Sequence, residues 1–255
     1  MNLFQSEIIA FIKSIDSNVL LEKWGVLLRE RKIGFVFHEI TANQEIGVAP
    51  PEKLHIVHLW EDLWIGKNEI VKSRIVSLLG TSKRVFARTT KVVKLNKIEL
   101  LDFLTKNHIN KPANTKHKYG LVLGDELLAV AAFSASCPIH RQEEVYLSHQ
   151  LVRFCTKNGI TVVGGLSKLI AHFLKMHSTD DIMSYADLDW SMGKGYLGLG
   201  FEEIGKLAPQ NFYINPKTLQ RYYKLDDAND KSNLLEYTNQ GSIKYLLDLK
   251  KKGNE

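Results

Sequence analysis

The stretch VVGGLSKL, residues 162–169, holds the residue types that an anion site needs. Two β-branched residues lead into Gly164 and Gly165, and Ser167 and Lys168 open the apolar-periodic run LIAHFLKM. At a helix start, backbone N–H groups cleared of side chains by glycine face an anion along the helix dipole. A strand-to-helix turn also uses glycine for steric reasons alone, so both readings stand. Two sharper phosphate motifs are absent. Gly159 and Gly164 have the glycine spacing of a Walker A loop, but Gly165 and Leu166 occupy the places of its lysine and hydroxyl. A dinucleotide fingerprint needs a glycine two residues after the first, and neither Gly164 nor Gly165 has one.

In SYADLDWS, Asp187 and Asp189 follow an apolar strand and alternate onto one side of an extended chain. They suit the orienting of an amine or a base edge, or the capping of a turn. Arg153 lies inside the apolar QLVRFC, where a cation needs an anionic partner, and one of those aspartates is the expected one. Ser167 is placed to hydrogen-bond a ligand or to cap its helix. His55 and His58, three apart on one strand, point to opposite faces, and the other histidines lack ligand spacing, so no metal is expected. Cys137 and Cys155 are isolated, which excludes a disulfide framework and fits a reducing cytoplasm. Tyr213, Tyr222 and Tyr223 suit either base stacking or a closing-strand core.

The elements that position these residues follow from periodicity. Residues 4–15 carry Phe4, Ile8, Ile9, Phe11, Ile12 and Ile15 at helical spacing. KIGFVFHEI reads as a strand, QEIGVAPPEK as a loop, LHIVHLWEDLW as a buried strand, and KNEIVKSRIVSLLG as a helix capped by Gly80. RVFARTTKVVKL is then strand-like, KIELLDFLTKNH helical, and KYGLVLGDELLAVAAFS a hairpin turning at Gly124 and Asp125. EEVYLSHQLVRFCTK is a long strand before the glycine turn and its helix. DIMSYADL reads as a strand, SMGKGYLGLG as a short helix, and FEEIGK and NFYINPKTLQRYYKL as closing strands. IKYLLDL, in the polar tail from Asp226, is expected to dock as a short helix or to stay mobile. The pattern changes near residues 80–95, giving a first block over 1–82, a second over 83–225 and a tail over 226–255. Alternating strands and helices make the second block one α/β layer structure.

The chain has 255 residues, 44% of them hydrophobic, and a net charge of +6. Between Lys83 and Ile98 stand six cations and no acid. Lys83, Arg84, Arg88 and Lys91 are either a solvated strand edge guarded against pairing or a phosphate-contacting stripe. The longest apolar run, LLAVAAF, falls far short of the roughly 20 residues of a membrane helix, and the N-terminus lacks a secretory pattern, so no membrane partner is expected.

The order strand, helix, hairpin, long strand, glycine turn, helix, strand and aromatic-bearing helix, ending in YLGLGFEEIG, resembles the GNAT acyltransferase family over roughly residues 84–224. The resemblance implies a GNAT-like mixed central sheet flanked by helices, with acetyl-CoA or another acyl-CoA as cofactor. It places Leu151 and Arg153 along the pantetheine arm, and Val163, Gly164, Gly165, Leu166, Ser167 and Lys168 around the pyrophosphate. It makes Tyr196 the acid for the departing thiolate, the alternative being a core aromatic beside Phe201. Asp187, Tyr196 and Ser167 form the implied catalytic set. The family loop has Gln or Arg three residues before its first glycine. Here Thr161 or Val162 stands there, depending on register, with Leu166 or Ser167 at the second small residue.

QLVRFCTKNGITVVGGLSKLIAHF and IMSYADLDWSMGKGYLGLGF are similar to a domain of phage and bacterial homing-endonuclease-like proteins related to Mom, a DNA-modifying family that alters adenine. SEIIAFIKSI and HIVHLWEDLWIGKNEIVKSRIVSLLG resemble the opening helix, and the closing strand and helix, of very-short-patch-repair endonucleases. This implies a small N-terminal α/β domain with a reduced restriction-endonuclease-like fold. Gly34 stands where the nuclease aspartate belongs, and Glu7, Glu39 and Glu61 make no metal-holding set, so cleavage is not expected. The expected function is acyl-CoA-dependent N-acyl transfer to a nucleic acid base, with DNA as partner. The alternative is a non-catalytic DNA-binding protein.

Overall fold

A computed structural model describes residues 2–42, 48–111, 113–141, 143–228 and 231–250. The loop expected over QEIGVAPPEK lies partly outside these residues, as does the end of the tail. The chain forms two compact units interleaved along the sequence. The smaller takes residues up to Lys72, Ala186–Gly193 and Lys206–Ile243; the larger takes Ser73–Tyr185, Lys194–Gly205 and residues from Lys244.

In the smaller unit, α1 (Leu3–Ile15) buries Phe4, Ile8, Ile9 and Ile12, the stripe its spacing dictates, and Asn2 caps it. Strands β1 (Leu20–Glu22), β2 (Gly25–Leu28), β3 (Ile33–His38) and β4 (His55–Trp60) form one sheet in that order. The first three run antiparallel, and β4 lies parallel to β3. Gly25 has φ +149°, and a Cβ there would sit 2.0 Å from the Phe35 carbonyl oxygen. Only glycine lets β2 pass β3 at that point. The strand expected over LHIVHLWEDLW ends at Trp60. Its second half forms α2 (Glu61–Gly66), with Glu61 and Asp62 at the positive end of the helix dipole. The helix α3 (Asn68–Leu78) follows, with Ile70, Val71, Ile75 and Leu79 buried and Gly80 at φ +73°.

RVFARTTKVVKL is not one strand. It divides into β5 (Lys83–Phe86) and β6 (Lys91–Lys94) around a single 3-10 turn in which Ala87 is buried. After it come α4 (Lys97–Asn107), β7 (His117–Leu123), β8 (Glu126–Phe133), β9 (Cys137–Arg141) and β10 (Glu144–Thr156). Then β11 (Ile160–Val163) leads into α5 (Gly165–Met176), β12 (Asp181–Asp187), α6 (Lys194–Leu197) and β13 (Glu202–Leu207). A small sheet in the smaller unit comprises β14 (Asn211–Ile214), β15 (Arg221–Tyr222) and β16 (Leu235–Thr238). Last comes β17 (Ser242–Asp248).

The large sheet has the order β13-β17-β12-β10-β8-β7-β6, with β9 on β10. It is mixed, since β10 runs parallel to β12 and antiparallel to β8. Alternation along β8 sends Val130 and Ala132 to Leu100, Phe103 and Leu104 of α4. Phe133, on the other face, stacks on Phe173 of α5 at 4.0 Å. Helices therefore cover both faces, and the expected mixed central sheet flanked by helices holds. The tail is different from its expectation: IKYLLDL is neither a docking helix nor a mobile end. It forms β17, with Ile243, Tyr245 and Leu247 buried in strict alternation.

Candidate functional site

The centre of the large sheet contains a gap. β10 and β12 pair in parallel at only three positions, Ser148 with Asp181, His149 with Ile182 and Gln150 with Met183. Just beyond, the register of β10 against β8 shifts between Leu151 and Arg153. A bulge of this kind bends a strand and re-aims its groups. Ser184, 1% exposed on β12, spans the opening: its Oγ lies 3.2 Å from the Leu151 carbonyl oxygen and 2.9 Å from Tyr196 Oη. A hydroxyl carries one proton, so Ser184 serves one of these acceptors at a time. When Leu151 takes it, the phenol donates to Ser184. The Tyr196 ring packs against Phe201 at 5.3 Å and Tyr245 at 5.2 Å. Burial pushes its pKa up, against a smaller opposing effect of the Ser184 hydrogen bond, so it stays a proton donor at neutral pH. The core and donor readings of Tyr196 are therefore compatible. Arg153 Nη1 and Nη2 donate to the carbonyls of Val152 and Lys111 at 2.8 and 3.1 Å.

The glycine stretch has steric reasons for both glycines. Gly164 is the N-cap of α5 at φ +75°, where a side chain is strained whatever the space. A Cβ at buried Gly165 would lie 3.1 Å from Val162 Cβ. Gly164 makes the turn and Gly165 the close packing. Ser167 is exposed within the first turn and is not the cap. Lys168 Nζ donates to the carbonyls of Ala87, at 2.8 Å, and Thr90, so it fastens the 3-10 turn to α5. Val163 pairs with Phe86 in the parallel β11–β5 register, and Leu166 is half-buried. That register places the basic segment beside the start of α5. Lys83, Arg84, Arg88 and Lys91 are exposed, and the Arg88 guanidinium lies over the ring of exposed Phe86 at 4.8 Å. Two separate sequence candidates thus meet on one surface.

Asp187 falls in the smaller unit and holds a turn. Its Oδ1 accepts from the Asp189 N–H at 3.1 Å, and its carbonyl accepts from the N–H groups of Trp190 and Ser191. Asp189 is buried and accepts from Trp60 Nε1 and the Gln240 N–H at 2.9 and 2.8 Å. Beside it, His38 Nε2 meets His58 Nδ1 at 2.8 Å, and His38 stacks on Trp60 at 4.1 Å. One ring nitrogen must donate and the other accept, so at least the accepting ring is neutral. Burial first, then the neighbouring His58 and Arg221, lowers the pKa of His38 to about 3, and burial lowers His58 to about 4. The unfolded chain, near pKa 6.5, takes protons first as pH falls. Stability is then lost from about pH 6.5 down through these folded values, by up to about 1.4 kcal/mol per pH unit and group. The expected outcome in urea titrations is a falling midpoint below about pH 6, with a flatter slope in His38→Leu. An identical slope in that variant would assign the effect elsewhere.

A Cβ at Gly34 would lie 2.6 Å from Ile56 Cδ1 and 2.7 Å from the Trp24 ring, so the place of a nuclease aspartate is filled. His55 Nε2 lies 3.1 Å from the Trp190 carbonyl oxygen. Among the described residues no group of three or more His, Cys, Asp or Glu is arranged to hold a metal ion. Tyr213 Oη donates to Glu236 at 3.3 Å, across the β14–β16 pair. Burial pushes the Cys155 thiol up to about 12, which leaves it unreactive. No described helix is long and apolar enough to cross a membrane. Ser184 is the site residue the sequence reading missed.

No protein-family model and no curated protein sequence matches the chain. Among solved structures, it is similar to an acetyltransferase from Bacillus subtilis in complex with CoA, with a TM-score of 0.39 and 16% identity over 63% of this chain and 99% of that one. It is also similar to the ribosomal-protein-S18-alanine N-acetyltransferase from Escherichia coli, with a TM-score of 0.39 and 13% identity over 63% of this chain and 94% of that one. A GNAT-family acetyltransferase from Bacillus cereus gives 0.35 and 12%, over 62% and 96%. Likeness of this size assigns neither a family nor an activity.

Proposed function

We propose that the larger unit is an acyl-CoA-dependent N-acyltransferase of the GNAT type. The observation that carries this reading is the gap between β10 and β12, opened at a bulge and overlooked by the Tyr196 phenol. The gap fits a pantetheine arm because Leu151 offers a carbonyl there that meets the mobile hydroxyl of Ser184 at 3.2 Å. Exposed Gly164 and Ser167 at the start of α5, with Arg84 and Arg88 beside them, suit the phosphates. Acyl-CoA supplies the thioester; an acceptor amine forms the new C–N bond as the C–S bond breaks, and the proton the amine loses passes to water, from which the phenol is later restored. Tyr196 Oη holds the proton that the leaving thiolate takes. Calorimetry with acetyl-CoA is expected to show binding that weakens in Arg84→Ala/Arg88→Ala. No heat at roughly millimolar ligand overturns the reading.

For the acceptor we propose a nucleic acid base, as in Mom-like DNA modification. The exposed cations support it, as does the smaller unit, whose opening helix, three-stranded meander and parallel fourth strand suit a reduced nuclease-like domain. Mass spectrometry of DNA from cells expressing the chain would show an acyl mass on a base. The alternative, DNA binding without catalysis, is favoured by one observation: the Lys168 ammonium is engaged by carbonyls. It would give salt-sensitive DNA affinity, lost on removing Lys83, Arg84 and Arg88, with no modified base.

A further inference from the structure

Away from the gap, on the stretch of β10 where it still pairs with β12, three histidines from distant parts of the chain line one cleft of about 360 Å3. His117 comes from the start of β7, His149 from β10, and His177 from the residue capping α5. Ring centroids lie 3.9 Å apart for His117 and His177, 5.8 Å for His117 and His149, and 6.4 Å for His149 and His177. Lys116, Ser136 and Ser178 complete the polar lining, and Leu147 and Met176 give an apolar wall.

Two of the three imidazoles have a fixed partner. Thr179 Oγ1 gives its one proton to the Leu147 or Asp181 carbonyl, so it accepts from His149 Nδ1 at 2.9 Å. His149 therefore keeps its lone pair on Nε2. His177 Nε2 meets Tyr119 Oη at 2.8 Å. These bonds hold the rings close together, although a charge on one repels a charge on the next.

We propose that this cleft is a second ligand site, distinct from the β10–β12 gap, which takes a small organic molecule bearing a phosphate group. Among the described residues these rings are not arranged to hold a metal ion, and the lining contributes a lysine, two hydroxyls and ring nitrogens. Two acids flank the cleft: Asp180, whose Oδ2 accepts from the Leu147 N–H at 2.7 Å, and Asp181, which is fully buried and ion-paired to Arg141 at 2.7 Å. The volume exceeds what a bare phosphate fills, and the Leu147–Met176 wall suits an organic body.

The crowding makes the site proton-linked. Burial first, then His177, His149, Lys116 and Lys118, lowers His117 to about 4. His149 is lowered by burial and His177 and raised by Asp181; His177 is lowered by burial, His172 and Lys94. A dianion among them reverses the repulsion, so its binding takes up protons and strengthens as pH falls.

The test follows the histidine ring C–H resonances of the full chain during titration with sodium sulfate, at constant ionic strength set by chloride. Sulfate stays a dianion throughout, so any pH dependence belongs to the protein. The expected result is movement of the His117, His149 and His177 signals, with affinity at least about tenfold tighter near pH 5.5 than near pH 8. Unmoved His38 and His58 signals, from the other unit, show that the response is local, and the ring signals of the stacked Phe133 and Phe173 report an intact larger unit. In His117→Gln/His177→Gln the response is lost while the Phe133 and Phe173 signals persist. No movement in the wild type, equal affinity at both pH values, or an undiminished response in the double variant overturns the site. Glycerol phosphate binding no tighter than sulfate at the same pH overturns the organic ligand.

Discussion

Replacing Arg221 by methionine is expected to lower the unfolding free energy by about 3–5 kcal/mol, the usual cost of stranding a buried charge. Arg221 Nε and Nη2 donate to Asp62 Oδ2 and Oδ1 at 2.8 and 2.7 Å, and the two side chains are 11% and 1% exposed. The guanidinium also lies over the Phe212 ring at 4.0 Å and the Trp60 ring at 5.3 Å. Removing it leaves the Asp62 carboxylate in an aromatic core formed by Trp60, Phe212 and Tyr237. Asp62→Leu/Arg221→Met should recover most of the loss, because well-packed apolar groups substitute for a buried pair at little net cost. Urea unfolding followed by tryptophan fluorescence measures both. A loss below about 1 kcal/mol in the single variant would place the pair with solvent-exposed ion pairs.

Tyr196→Phe is expected to lower acyl transfer by about 10²–10⁴-fold, the range for loss of a general acid. The ring still packs on Phe201 and Tyr245, so folding and acetyl-CoA affinity should stay near wild type. An acid acts while protonated, and burial has raised this phenol's pKa. The wild-type rate should therefore fall only at strongly alkaline pH, and the variant should lose that limb. Thiol release from acetyl-CoA with an amine acceptor reads both effects. An unchanged rate would remove the phenol from the chemistry and leave the gap as a binding feature only.

Strong local periodicity made much of the fold legible. The apolar stripe of α1, the hairpin β7–β8 and the long β10 lie where spacing put them. Failures arose where distant partners decide. RVFARTTKVVKL has strand composition, but Ala87 and Thr90 are buried, and Lys168, about 80 residues away, holds their carbonyls. IKYLLDL has apolar residues at 243, 245, 246, 247 and 249, and Leu246 hides the alternation that its place between two strands selects. The site follows the same division. The glycine turn and Tyr196 were visible as residue types in context. Ser184 left one signal, a hydroxyl between Ile182 and Ala186 on the buried face of a strand. The Asp62–Arg221 pair spans 159 positions, and the three histidines of the cleft come from three separate elements, so neither leaves a local pattern.

The place of β17 governs how the chain is made. It lies between β12 and β13, so both strands keep a bare edge until residues 242–248 have left the ribosome. From Asp187 to Asp248 is 61 residues, about 3–12 seconds of synthesis at ordinary elongation rates. Throughout that interval β12 offers unpaired N–H and C=O groups to any strand that passes, including those of neighbouring nascent chains. The hazard is one of timing, and it ends when an alternating seven-residue strand closes the sheet.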